Sequence, residues 1–315
     1  MLLRLTTSQL HCYKCMLKIA WCDIYAHPLP ENHRFPMSKY ELLPQQLLHE
    51  GTIKEENFFA PIPISTDAIL AVHDQEYWAR LDALALDRHE IRKTGFPLSR
   101  QLVDREVTIM NGTKMCADFA LKHGVAMNIA GGTHHAFTNR GEGFCLLNDI
   151  AIASQYLLDH GLAKQILVVD LDVHQGNGTA EIFQNEPRVF TFSMHGGKNY
   201  PMHKEKSDLD IELPDGIKDS EYLHLLERNL DNLLTRVQPD FMFFQSGVDI
   251  LESDNLGRLG VTLAGCKRRD EMVLNAAHRG EIPLVASMGG GYSKDIKVIV
   301  EAHANTYRLA QDIYF

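Results

Sequence analysis

Beyond about residue 100 the chain alternates two hydrophobic patterns. Amphipathic stretches carry apolar residues every three or four positions, and between them lie short, nearly uninterrupted apolar runs. The runs predict strands over Val125–Ala130, Gln165–Asp172, Arg188–Met194, Phe241–Gly247 and Pro283–Met288. Asn148 or Asp149 caps a helix that ends near His160, with Gly161 as its stop. Ser220 opens another, in which Leu223, Leu226, Leu230, Leu233 and Val237 recur at helical spacing before Pro239. Thr262 and Ser293 are placed to cap the last two helices. Continuous apolar strands alternating with helices predict an α/β fold, its mainly parallel sheet covered on both faces. No repeat, low-complexity tract or Gly/Ser linker breaks the pattern. One domain is expected over residues 21–315, preceded by an extension over residues 1–20. The first 95 or so residues, rich in Pro and His, read as loops and short helices around that core.

Each predicted strand runs at its C-terminal end into chemically capable residues. The first leads to Gly131-Gly-Thr-His134-His135 and the second to Asp170-Leu-Asp172-Val-His174. The third leads to Ser193-Met-His195, the fourth to Ser246-Gly-Val-Asp249, and the fifth to Gly289-Gly-Gly-Tyr292. Open parallel sheets bind their ligands outside the carboxyl ends of the strands. Five polar clusters converging there mark a site.

Composition narrows its class. Of 315 residues 45% are hydrophobic, enough for a sizeable core. A formal charge of −10 gives no electrostatic reason to expect nucleic acid or an anionic membrane as partner. No apolar stretch approaches the ~18 residues of a spanning helix. The start, Met1-Leu-Leu-Arg-Leu-Thr-Thr-Ser-Gln-Leu10, is too interrupted for a secretory segment. Six scattered cysteines fit a reducing, cytoplasmic setting rather than a disulfide scaffold. Cys12, Cys15 and Cys22 include one C-x-x-C, but no second pair completes a structural zinc site.

Strand alternation sends Asp170, Asp172 and His174 to one side. Two carboxylates and an imidazole there are expensive to desolvate unless something compensates them. Oxygen–oxygen–nitrogen ligation suits zinc or iron(II); a hydrogen-bonded turn without metal is the plainer alternative. Asp172 and His174 supply two ligands, and Asp249 is the obvious third. Three ligands leave positions open for water and substrate, the catalytic arrangement. His134 and His135 are candidate proton shuttles, and Tyr292, on a flexible triple-glycine turn, a candidate oxyanion donor. Taken singly, the histidines could be ordinary strand-end residues, Asp249 a cap, and Gly289–Gly291 a phosphate nest. Together they specify hydrolysis of an amide-like carbonyl. Neither G-x-S-x-G nor His-Glu-x-x-His appears.

Four segments, in their order along the chain, resemble the zinc-dependent histone deacetylase family. They are Gly131-Gly-Thr-His-His-Ala, Gly141-Glu-Gly-Phe-Cys-Leu-Leu-Asn-Asp149, Val169-Asp-Leu-Asp-Val-His-Gln-Gly-Asn-Gly178 and Gly289-Gly-Gly-Tyr292. The stretch Ser246–Gly260 looks most like the class IV branch and its bacterial relatives. The resemblance implies the arginase/deacetylase fold, a three-layer arrangement with an eight-stranded, mainly parallel sheet. By motif, it makes Asp172, His174 and Asp249 the zinc ligands. His135 becomes general base and acid, and His134 its electrostatic partner, oriented by Asp170. Tyr292 polarises the scissile carbonyl. Gly143, Phe144, Tyr200 and Gly290 line the tunnel, and Arg34 an inner channel. Asp170 and Ser193, with carbonyls of Asp172, His174 and Met194, hold a potassium ion. Two departures stand out. The residue that orients His135 is Asn177, where several members have Asp. The loop that in several relatives carries a substrate-gripping Asp reads Lys93-Thr-Gly-Phe-Pro97, with no acid.

The expected activity is removal of an acetyl or longer acyl group from an acylated lysine, by attack of metal-activated water. A small acylated amine such as an acetylpolyamine is the alternative substrate. An arginase-like di-metal ureohydrolase would want further acids around Asp-x-Asp-x-His. A non-catalytic acyl-lysine binding module would tolerate losing Tyr292 or a ligand, and all are present.

Overall fold

The computed structural model describes residues 16–315, so Cys12, Cys15 and most of the expected extension lie outside the described residues. Eight strands pair in parallel throughout: β1 Lys18–Ala20, β2 Phe58–Phe59, β3 Val125–Asn128, β4 Ile166–Asp170, β5 Val189–Gly196, β6 Leu209–Leu213, β7 Phe241–Gln245 and β8 Leu284–Ser287. Their order across the sheet is β2-β1-β3-β8-β7-β4-β5-β6. The five strands expected from sequence form its contiguous middle, while β1, β2 and β6 lie toward the two edges. Lys18–Ala20, assigned to the extension by sequence, is instead a strand between β2 and β3. The boundary at residue 20 therefore cuts into the sheet.

Ten helices accompany the strands among the described residues: α1 Lys39–His49, α2 Thr66–Leu70, α3 Gln75–Asp82, α4 Arg88–Thr94, α5 Arg100–His123, α6 Asp149–Asp159, α7 Asn177–Phe183, α8 Asp219–Val237, α9 Leu263–Arg279 and α10 Ile296–Tyr314. Asn148 caps α6 through its side chain, which accepts from Ala151 N, and Gly161 follows in the left-handed region at φ +64°. Thr262 caps α9 by accepting from Gly265 N. Two expected caps differ. Helix α8 begins at Asp219, one residue before Ser220. Helix α10 is capped by Asp295, while the Ser293 hydroxyl lies 2.9 Å from that of Ser253. Asp295 wins because its carboxylate is positioned to accept from Lys297 N.

Strand alternation divides the core in two. Leu167, Val169, Met242 and Phe244 face one side, with Leu226 and Leu230 of α8 and Val273 and Leu274 of α9. Ile166, Val168, Phe241 and Phe243 face the other, with Ala117 and Ala120 of α5 and Ile150 and Leu157 of α6. Each fully buried large apolar side chain contributes about 1.5–3 kcal/mol relative to exposure. Covering both faces forces each strand to be apolar throughout, which is why the middle strands were visible in the pattern. None of the described helices is long and apolar enough to cross a membrane. Cys22, Cys116, Cys145 and Cys266 are free thiols.

Phe243→Ala, in the middle of β7, is expected to lower unfolding stability by about 3–5 kcal/mol. Met202→Ala, at a residue 80% exposed, should stay within about 0.5 kcal/mol. Denaturant midpoints at constant m-value provide the check.

Candidate active site

The carboxyl ends of β3, β4, β7 and β8 meet at one place. Strand β4 stops at Asp170, so Asp172 and His174 are carried on a turn rather than on the strand itself. The turn closes by side chains accepting from the backbone two residues on: Asp172 N donates to Asp170 Oδ1 at 3.2 Å, and His174 N to Asp172 Oδ1 at 3.0 Å. The hydrogen-bonded turn and the convergent donor set, alternatives in the sequence, are thus one structure. His174 Nδ1 lies 3.0 Å from Asp172 Oδ1 and 3.2 Å from Asp249 Oδ2. One donor atom from each of the three residues falls within 4.8 Å of the others, all buried.

Backbone geometry makes this crowding possible. Val173 N donates to Asp249 Oδ1 at 2.9 Å, and Gly290 N to Asp172 Oδ2 at 2.9 Å. A side chain at Gly290 would collide with Asp249, and one at Gly247 with Asp172. Beneath them, fully buried Arg269 of α9 donates to Leu171 O at 3.0 Å and Gly247 O at 2.7 Å. One guanidinium therefore ties together the two turns that present Asp172 and Asp249. Burial and the facing Asp172 carboxylate push the Asp249 carboxyl up. Against the cost of burial, the Asp172 and Asp249 carboxylates hold the His174 imidazole up at about 10, and the two carboxylates and one imidazole have the donor chemistry of a site for a divalent ion such as zinc.

His134 and His135 follow β3, their rings 4.1 Å apart, yet their environments are opposite. His134 Nδ1 donates to Asp170 Oδ2 at 2.7 Å. Burial would push its imidazole down, but the Asp170 and Asp172 carboxylates together outweigh that and hold it up at about 9. His135 Nδ1 lies 2.6 Å from Asn177 Oδ1 at the start of α7. An amide oxygen only accepts, so Nδ1 carries the proton and Nε2 is left with its lone pair. Burial and the neighbouring His134 cation hold His135 well below its ordinary value, hence neutral.

Tyr292 is pinned rather than flexible: its N donates to Asp254 Oδ2 at 2.6 Å and its O accepts from Asn255 Nδ2 at 2.7 Å. Burial first, then the Asp249 and Asp172 carboxylates, raise its phenol well above the usual value. Its ring lies 5.9 Å from that of Phe144 and 6.4 Å from that of His174. Phe144 sits in the left-handed region at φ +67°, a strained choice for an aromatic residue. It is held there because Phe144 N donates to Thr94 O and Gly143 N to Lys93 O. A side chain at Gly143 would run into the His135 ring. Tyr200, 38% exposed, donates its hydroxyl to Glu142 at 2.6 Å, with its ring 5.0 Å from His135.

Above these residues opens an outer cavity of about 720 Å³. Arg34 lines this outer space, its guanidinium carbon 5.0 Å above the Phe144 ring, and not an inner channel. Successive residues diverge here: Phe35 turns inward and is buried, leaving Arg34 exposed. The inner pocket is lined by Tyr40, Arg105, Gly131 and Gly132, among others. Arg105 and the buried Lys39, whose Nζ donates to Gly289 O at 2.9 Å and stands 5.8 Å from the Tyr292 ring centroid, are the cations missed in the sequence. The available signal was a charge on an apolar helix face, Arg105 among Leu102, Val103 and Ile109. Ser193 stands opposite Asp170 in the β4–β5 register, with Met194 next to it and buried.

Comparison with known proteins places this geometry. The histone deacetylase domain, as a family, matches residues 33–307. The chain is similar to an uncharacterised protein of Picosynechococcus, 45% identical over 290 residues, covering 92% of this chain and 97% of that one. It is also similar to histone deacetylase 2 of Arabidopsis thaliana, 30% identical over 297 residues, with 91% and 76% covered. Among solved structures, a histone deacetylase homologue from Aquifex aeolicus superposes with a TM-score of 0.80 at 25% identity, over 93% of this chain and 84% of that one. Matched over nearly all its length, the chain belongs to the histone deacetylase family of zinc-dependent deacetylases.

Proposed function

We propose that this enzyme removes an acetyl or longer acyl group from the side-chain amine of an acylated lysine. The observation that carries the reading is the convergence, under one aromatic-walled passage, of a three-donor cluster, a histidine with a free Nε2, and a buried phenol. Asp172, His174 and Asp249 would hold the divalent ion, zinc or iron(II). Bound there, it would acidify a water molecule and polarise the acyl carbonyl. His135 Nε2 accepts the proton released as water adds, and returns one to the departing amine, so that amide and water become carboxylate and amine. His134, held as a cation by Asp170, stabilises negative charge gathering beside it. Tyr292 donates its hydroxyl to the developing oxyanion. Phe144 and Tyr200, with Gly143 and Gly290 leaving space, flank the acylated stem. We also assign Asp170 and Ser193, with carbonyls of Asp172, His174 and Met194, to a structural potassium ion. A small acylated amine is the second reading, favoured by the Lys93–Pro97 loop: it offers no acid to grip a peptide main chain, and Lys93 turns to Glu142 at 3.4 Å.

Tyr292→Phe is expected to lose about 10²–10³-fold in kcat, and His135→Ala about 10²–10⁴-fold. Metal content should be unchanged in both. Amine release from acyl-lysine peptides and acylated polyamines, beside metal analysis, tests this; retained turnover in both variants rejects the roles.

Asn177→Asp replaces an amide acceptor with a carboxylate, which favours the His135 imidazolium. The acidic limb of the kcat/KM profile, where His135 must be neutral, should move up by about one pH unit. An unmoved limb would show that Asn177 does not set the basicity of the shuttle.

A further inference from the structure

We propose that the acylated amine accepted by this enzyme carries a carboxylate on its amine side, gripped by Arg34 at the mouth of the passage. The inference rests on the deacylase reading above and names the substrate class for it.

The chain as a whole is acidic, at −10, but the outer cavity reverses that sign. Five of its lining residues are Arg or Lys and two are Glu. One of the two acids is already engaged: Glu142 accepts from the Tyr200 hydroxyl at 2.6 Å and Arg140 Nε at 2.9 Å, with Lys93 Nζ at 3.4 Å. Two other lining cations, Arg258 and Lys198, share a single carboxylate, Asp215. It pairs with Arg258 at 2.7 Å and with the mostly exposed Lys198 at 3.7 Å. Positive charge is therefore in surplus around the opening.

Arg34 is the cation with nothing to neutralise it. Among the described residues no carboxylate pairs with it, and its guanidinium lies over the face of Phe144. A guanidinium over an aromatic face with no acid on its N–H groups keeps those donors for a ligand, and a carboxylate takes them in two parallel hydrogen bonds. Phe144 is also the wall beside Tyr292. A lysine stem running past Phe144 to the Asp172–His174–Asp249 cluster would leave its α-carbon in the outer cavity that Arg34 and Phe144 both line. The cavity, about 720 Å³, encloses a small molecule or a few residues of peptide. The same field repels acetylpolyamines and Lys/Arg-rich tails, and attracts an α-carboxylate before contact.

The test uses three Nε-acetyl-lysine derivatives that differ in charge, with zinc-loaded protein. One has its α-amine capped and carboxylate free, one has both ends capped, and one has a free α-ammonium and an amidated carboxyl. We expect kcat/KM to fall about tenfold at each step from anion to neutral to cation. The differences should shrink at about 0.5 M salt. In Arg34→Gln the anion-to-neutral ratio should fall toward one, and in Arg34→Glu the anion and cation should exchange rank. Arg34 is exposed, and an unchanged thermal transition in each variant separates recognition from misfolding. Equal or faster turnover of the cationic substrate, or a preference that Arg34→Gln leaves unmoved, overturns the assignment while the deacylase reading stands. No turnover by the wild-type protein of any of the three, or of the same three carrying longer acyl chains, overturns that reading, and the Arg34 assignment with it.

Discussion

Two carboxylates packed into a dry space, Asp172 and Asp249, are the constraint around which this molecule is arranged. A buried carboxylate costs several kcal/mol unless hydrogen bonds and opposite charge meet it. The backbone meets part of the demand, through Val173 N, His174 N and Gly290 N. Gly247 and Gly290 let two loops approach closely enough to do so. Arg269, its own charge met by buried Asp270 at 2.6 Å, holds the carbonyls of both turns from below. His174, held up at about 10 by the two carboxylates, meets part of the remaining charge, and a divalent ion at the cluster would take over that role.

The same economy separates two adjacent histidines. His134 and His135 share a loop and nearly touch, but one faces a carboxylate and the other an amide. A carboxylate favours the imidazolium and an amide oxygen fixes a neutral tautomer, so the pair splits into a standing cation and a ready acceptor. The first-turn amides of α7 donate to His134 O, so the helix that carries Asn177 also fixes the loop that carries both rings.

How much of this was legible in the chain follows from burial. The five middle strands are covered on both faces, so they read as continuous apolar runs. Strand β6, Leu209-Asp-Ile-Glu-Leu213, is half-exposed and alternates instead, a signal too short to stand out. Strands β1 and β2, three and two residues long, carry no period at all. Site residues at the ends of middle strands were legible because parallel sheets gather chemistry there. Lys39 and Arg105 were not: each reaches the site from a helix remote in sequence, and the one local signal, Arg105 on an apolar helix face, says that the side chain turns inward but not toward which site. Arg34 shows the converse, a motif neighbour of the buried Phe35 that faces the opposite way.

The strand order has a consequence for how the molecule forms. Strand β3 bonds to β8, pairing Val125 with Leu284, and β1 bonds to β3, pairing Lys18 with Ala126. No neighbouring strands on that side of the sheet are close in the chain; even β1 and β2, consecutive in order, are joined across a long connection. Pairings of such sequence separation must overcome large loop-closure entropy before they contribute, which slows folding. The His134–His135 loop leaves β3 and the Tyr292 turn leaves β8, so the two halves of the catalytic apparatus meet only when that pairing closes. During synthesis the site therefore cannot assemble until β8 has emerged, and a chain that stops short of β8 carries His134, His135 and the acidic cluster without Tyr292.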